Sequence, residues 1–221
     1  MAVRFRLLMM IFMAALCVLP VRALPAPPVK KIAITIDLCP SSKRYDRGLF
    51  RYIDKIGKEI NQPVPVAISV SGTWLLRHRA ELAAIRTLKL AITWVNHSYS
   101  HPVAGDFLNN PKVDFKSEVQ KNIELMKACG LVPSKYFRFP GLRTNPKNLR
   151  ILKAMGYTPL SADAWLSKGQ KIKDGSVVLV HGNGNDPLGG RMLVAYLKSR
   201  DRDLRSGRLR LMSVDAIFPR R

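Results

Sequence analysis

Between Ile32 and Met212 the spacing of apolar residues switches repeatedly between two periods. Ile32–Asp37 is a short β-branched run of strand character. Asp46–Ile60 has helical spacing: Leu49, Phe50, Ile53, Ile56 and Ile60 fall on one side, and Asp46 stands at the capping position. Pro65–Ser71 is strand-like, Thr73–Lys89 is helical through Leu75, Leu76, Leu82, Ile85 and Leu88, and Leu90–Asn96 is strand-like again. A loop containing Pro102, Gly105 and Pro111 leads to a helix over Phe115–Cys129, which Gly130 ends. Strands are predicted at Tyr136–Phe139, Tyr157–Asp163, Ser176–His181 and Arg208–Met212, and helices at Asn145–Met155 and Arg191–Arg200.

Strands alternating with helices along a whole chain imply an α/β fold with a mostly parallel sheet. About seven strands in one domain, residues 32–221, suit a sheet closed or nearly closed into a distorted (β/α) barrel. No repeat of fixed period and no second domain are visible.

The first residues follow a different pattern. Arg4 and Arg6 precede an apolar run, Leu7–Leu19, that is short for a membrane span, and Val21-Arg22-Ala23 is a weak cleavage site. Residues 1–23 therefore read as a signal peptide and residues 24–31 as a Pro-rich linker; the alternative is an uncleaved N-terminal anchor. The expectation is an exported protein, periplasmic or secreted. Its formal charge of +22 suits an anionic neighbour, an envelope polymer or membrane surface, met through the basic tail Arg191–Arg221. A solvated basic surface is the plainer reading of that tail. Nucleic acid is disfavoured, because no nucleic-acid motif is present. Export would leave Cys39 and Cys129, as a disulfide, as free thiols, or with Cys39 near a metal.

The ends of the predicted strands carry the chemistry. The first ends in Asp37 and the third in Asn96-His97; the fourth carries Arg138, the fifth Asp163, and the sixth ends in His181. In parallel α/β folds the carboxyl ends of the strands share one face, and that face holds the active site. Two of the four histidines, His97 and His101, are four residues apart in "NHSYSHP"; on one helical turn such a pair faces the same way and grips one metal ion. His78, in "LLRHRAE", reads as an ordinary helix residue. The glycine-rich "HGNGNDPLGG" reads as a flexible loop beside His181.

Five segments in order complete the pattern: "TIDLCP", "HSYSH", "FRFPGL" with Arg138 and Pro140, "SADAWL" with Asp163 and Trp165, and "LVH". Together they resemble the motifs of polysaccharide deacetylases of the NodB-homology type, carbohydrate esterase family 4. The resemblance implies a distorted barrel, dependence on a divalent metal (zinc, with cobalt or nickel as alternatives), and removal of N-acetyl groups from amino-sugar glycans. Peptidoglycan, chito-oligosaccharide and exopolysaccharide remain open as substrates. It implies that His97 and His101 bind the metal, that a carboxylate takes the proton of the attacking water, and that His181 protonates the departing amine. Arg138 and Asp163 would orient these groups, Asp163 holding a histidine or Arg138 holding an acid.

The first motif departs from the family. Two adjacent aspartates are usual, a base and a metal ligand; here the pair is Asp37-Leu38. Three outcomes stay open. Asp37 remains the base, or it becomes the third metal ligand beside His97 and His101, or catalysis is lost and a carbohydrate-binding protein remains. Cys39 adds a further donor, and a thiolate favours zinc.

Overall fold

The computed structural model describes residues 28–102, 110 and 112–218; the predicted leader lies outside them. The central strand β1, Lys30–Leu38, begins two residues inside the predicted linker. Around it, β2 (Val64–Val70), β3 (Leu90–Asn96), β4 (Pro133–Phe137), β5 (Thr158–Pro159), β6 (Ala164–Trp165) and β7 (Ser176–His181) form one sheet in the order β5-β4-β3-β2-β1-β7-β6. Every pairing is parallel, and β8 (Leu209–Leu211) lies beside Lys30–Ile32 at the start of β1. Helices 47–59, 72–77, 79–86, 115–128, 146–154 and 187–199 follow the predicted order. Asp46 caps the first, its carboxylate accepting from Leu49 N. Among the described residues no helix is long and apolar enough to cross a membrane.

Two predictions change. The helix expected over Thr73–Lys89 breaks at His78, which lies outside helical geometry (φ −122°, ψ 46°). The strand expected over Tyr157–Asp163 is two edge strands. Pro159 has no N–H to continue a ladder, and the chain leaves β5 there and re-enters the sheet at Ala164 on the opposite edge. Seven flat strands would place those edges about 29 Å apart at about 4.8 Å per strand. The five residue steps from Pro159 to Ala164 reach at most about 18 Å. The sheet must therefore curl, and the result is a distorted, incompletely closed barrel.

Alternation along β1 divides its side chains between two faces. Ile32, Ile34, Ile36 and Leu38 join the core packed under the helices, with Leu49, Phe50 and Ile53. Ala33 faces the barrel interior, in a second cluster with Ala67, Val95, Tyr136 and Val177. The short helix Val214–Ile217 plugs the amino end of this interior through Val214, and Tyr136 Oη donates to Asp215 at 2.9 Å. The same alternation turns Thr35 and Asp37 inward and leaves Leu38, fully buried, on the helix side.

Leu38→Asp, which recreates the family's second aspartate in sequence, should therefore fail as a repair. It would bury an unpaired carboxylate among Ile36, Phe50 and Leu49, and urea unfolding should show a loss of about 3 kcal/mol or more. Unchanged stability with tighter metal binding would contradict the assignment of faces.

Candidate active site

The interior rises from alanine to charge. Above Ala33, Thr35 Oγ1 donates to Val178 O at 2.8 Å and accepts from Arg138 Nη2 at 2.8 Å. Arg138 is fully buried, carried there by Phe137–Phe139, where its backbone N donates to Asn96 O at 2.8 Å. Its Nε lies 3.7 Å from Asp37 Oδ1. Burial pushes the Asp37 carboxyl up, but Arg138, with His97 and His181, outweighs burial and holds it below its ordinary value of 3.8. Asp37 Oδ1 has no hydrogen-bond partner, so it keeps lone pairs free to accept a proton.

His97 follows β3 directly. Its Nδ1–H donates to Arg138 O at 2.8 Å, which fixes the tautomer and leaves Nε2 as a bare lone pair. Burial dominates the environment of His97 and lowers its pKa to about 3, so the ring is neutral at physiological pH. The pair His97–His101 is not on a helical turn. Ser98 and His101 adopt left-handed backbone geometry (φ 63° and 54°), and the loop folds back until the two Nε2 atoms are 3.2 Å apart. Such conformations are costly for residues with a Cβ and persist where the surroundings enforce them. Here Ser98 N donates to Asn96 Oδ1, Gly72 N and Thr73 N donate to Ser98 O and Tyr99 O, and Ser100 donates twice to Glu118. A side chain at Gly72 would run into Tyr99.

Cys39 is the next inward position after Asp37. Its Sγ lies 3.4 Å from His97 Nε2, and the ligand atoms of Cys39, His97 and His101 all fall within 4.8 Å of one another. Asp37 Oδ2 is farther from His97 Nε2, at 3.8 Å. Cys39 and Cys129 are unpaired; Arg79 Nη1 donates to Cys129 Sγ at 2.9 Å. Burial and the neighbouring Asp37 push the Cys39 thiol well above its ordinary value.

His181 ends β7 at the same rim, 5.6 Å from the Trp165 ring. Its Nδ1 lies 3.4 Å from Asp186 Oδ2, which also accepts from Ser167 Oγ. Asp163 does not reach this rim. It precedes β6, is exposed, and accepts from Ser176 Oγ at 2.9 Å and Val177 N at 2.6 Å, at the opposite end of β7 from His181. Its expected place at a strand's carboxyl end rested on the single strand 157–163 that Pro159 divides. Asp37, Cys39, His97, His101 and His181 line a cavity of about 160 Å³ walled by Leu142, Trp165 and Leu179. A larger cavity, about 580 Å³, lies between Glu59–Pro65 and Leu204–Met212 and gathers no such cluster.

These groups sit on a known framework. The sequence profile of the polysaccharide deacetylase family matches residues 25–160, more than half of the chain. The chain belongs to the polysaccharide deacetylase family. A family 4 carbohydrate esterase from Bacillus anthracis is 26% identical over 86% of this chain and 83% of its own, with a TM-score of 0.61. A family 4 carbohydrate esterase from Streptomyces lividans, solved with acetate, is 18% identical over 84% and 93%, also at 0.61. A family 4 pseudoenzyme from Bacillus anthracis, BA3943, is 15% identical over 86% and 66%, at 0.60. Beyond residue 160 the likeness of this deacetylase-family chain rests on structure, and the structural matches cover 84–86% of it.

Within this polysaccharide deacetylase fold, sequence reasoning passed over the residues that hold the site's loops. Asn183, fully buried, donates from Nδ2 to Cys39 O at 3.1 Å, and Asn185 Nδ2 donates to Pro40 O at 3.0 Å. Residues 183–185 are thus tied to the backbone after β1, and at Gly184 (φ 77°) a Cβ would strike Arg44 O. His78 is no ordinary helix residue. It stacks on Trp74, and its Nε2–H donates to Ser41 O at 2.9 Å. Asp186 was legible only as the acid five residues after His181.

The buried Asp37–Arg138 pair sets a pH test. In the native chain Asp37 is depressed, so its contribution to stability is present above the ordinary carboxylate range and lost as pH falls through the folded pKa. Arg138→Met removes the counter-charge and should cost about 3–5 kcal/mol at pH 7. In that variant burial is no longer opposed by the guanidinium and Asp37 rises, so the variant's stability deficit relative to the native chain should shrink as pH falls from 7 toward 5, the buried neutral His97 being common to both. Urea unfolding across this range checks the sign.

Proposed function

We propose that the protein is an exported, metal-dependent hydrolase that removes N-acetyl groups from amino-sugar glycans. The observation that carries this reading is the convergence of one ionised carboxylate, a back-to-back histidine pair and a second histidine on a single cavity of about 160 Å³. The donor set suits a divalent ion: His97 Nε2 is unprotonated, its other nitrogen is fixed by a carbonyl, and His101 approaches at 3.2 Å. Zinc fits such donors, with cobalt or nickel as alternatives. When bound, the ion supplies a Lewis acid for the acetyl carbonyl and lowers the pKa of water.

The chain's own residues divide the proton work. Asp37, kept ionised by Arg138, takes the proton of the attacking water. Asp186 lies against Nδ1 of His181, so the proton delivered to the departing amine comes from Nε2. Leu142 and Trp165 wall the cavity where the acetyl methyl would sit, and the sugar would remain on the rim. Asp163 has no part in this scheme.

Export rests on the leader-like residues 1–23. Binding of an anionic envelope polymer or membrane surface through the tail is a weaker part of the reading. Arg200, Arg205 and Arg208 are each within 2.8 Å of an acid, so less of that charge is free than the composition implies.

Purified full-length protein supplied with zinc, cobalt or nickel should release acetate from chito-oligosaccharides or peptidoglycan fragments. Asp37→Asn should lower kcat by about 10²–10⁴-fold. Metal-loaded, folded protein that releases no acetate from either substrate would instead support a carbohydrate-binding role on the same scaffold.

A further inference from the structure

We propose that the Cys39 thiolate is the third protein ligand of the metal, so that His97, His101 and Cys39 form a two-nitrogen, one-sulfur site where the family uses a carboxylate. This deepens the metal-dependent reading above and rests on it.

Two of the three donor spacings match before any ion is present, and the third lies within 4.8 Å. Tetrahedral zinc with Zn–N of about 2.05 Å and Zn–S of about 2.3 Å separates two nitrogens by about 3.3 Å and a nitrogen from a sulfur by about 3.6 Å. The structure has 3.2 Å between the two histidine Nε2 atoms and 3.4 Å from His97 Nε2 to Cys39 Sγ. His97 Nε2 can only accept, because Nδ1–H is committed to Arg138 O. It is therefore a lone pair aimed at the space that His101 and Cys39 also face.

The alternatives at this end of β1 are otherwise engaged. Leu38 occupies the position of the missing aspartate but lies in the helix-facing core. Asp37 sits farther from His97 than Cys39 does, and its other oxygen faces Arg138 Nε at 3.7 Å. Each is better placed for what it already does, Leu38 for packing and Asp37 for accepting a proton.

The backbone around Cys39 is held as tightly as a ligand requires. Asn183 donates to Cys39 O and Asn185 to Pro40 O. Ser41 Oγ donates to Asn185 Oδ1 at 3.0 Å, and His78 donates to Ser41 O from the far side. The remaining cysteine of the described chain, Cys129, is bound to Arg79 and does not compete for the sulfur as a disulfide. On binding, the S–H proton leaves to solvent and a metal–sulfur bond forms. A site of two imidazoles and a thiolate selects zinc or cobalt over magnesium, calcium or manganese.

Anaerobic titration of the full chain with cobalt(II) tests the assignment. One equivalent should bind with an intense sulfur-to-cobalt charge-transfer band in the near ultraviolet. Zinc should displace it and protect Cys39 from a thiol reagent in a Cys17→Ser, Cys129→Ser background. Cys39→Ser should abolish the band and weaken cobalt affinity by more than about 100-fold. Cys39→Asp should still bind cobalt but without the band, which guards against misfolding of the serine variant. One equivalent bound without the band, with Cys39→Ser binding as tightly, overturns the thiolate ligand and leaves the metal-dependent reading standing. Failure of the unmodified chain to bind cobalt or zinc overturns both.

Discussion

Strand β1 is hydrogen-bonded on both sides along its length, to β2 through Ile34–Leu38 and to β7 through Ile32–Asp37. A one-residue slip would exchange its two faces and bring Thr35 and Asp37 under the helices, so the register is strongly fixed. That constraint decides which residues see the barrel interior. It places Asp37 and then Cys39 inside and Leu38 in the core. Ser69 and His181, paired with Asp37 in the sheet, bring neighbouring strand ends to the same level.

The polar interior is sustained by a division of labour between the two faces. The helix-side core buries the large aliphatic and aromatic residues, Trp74, Phe50 and Ile53 among them, and supplies most of the favourable apolar burial. The interior can then carry a guanidinium and a carboxylate, provided each has a partner. Arg138 links the two needs. It offers charge to Asp37 through its side chain and a carbonyl to His97 through its backbone. One residue thus sets the ionisation of the proposed base and the tautomer of a proposed ligand.

Much of this was legible in the sequence, and the reasons for the rest are specific. The strands ending at Asn96 and His181 have the same limits in the structure, because buried parallel strands are near-continuous apolar runs with clear ends. The positions of Asp37, His97, Arg138 and His181 followed from the rule that strand termini share a face, and His101 from its spacing to His97. Asp163 was misplaced because spacing alone could not show that Pro159 divides one run between opposite edges of the sheet. The His97–His101 pair converges through a left-handed loop, not a helix, since the bonds that enforce it come from Gly72, Thr73 and Glu118 far along the chain. Asn183, Asn185, Asp186 and His78 act through tertiary contacts that carry no local signature. The substitution at Leu38 was visible, but only the alternation of β1 shows that the next inward donor is a sulfur.

In the proposed site this alternation hands the metal-binding role to Cys39 while leaving Asp37 to proton transfer. X-ray absorption at the zinc edge of the zinc-loaded full chain measures it most directly. With Cys39 as a ligand, one sulfur neighbour at about 2.3 Å is expected together with nitrogen neighbours at about 2.0–2.1 Å. A shell containing only nitrogen and oxygen would contradict it.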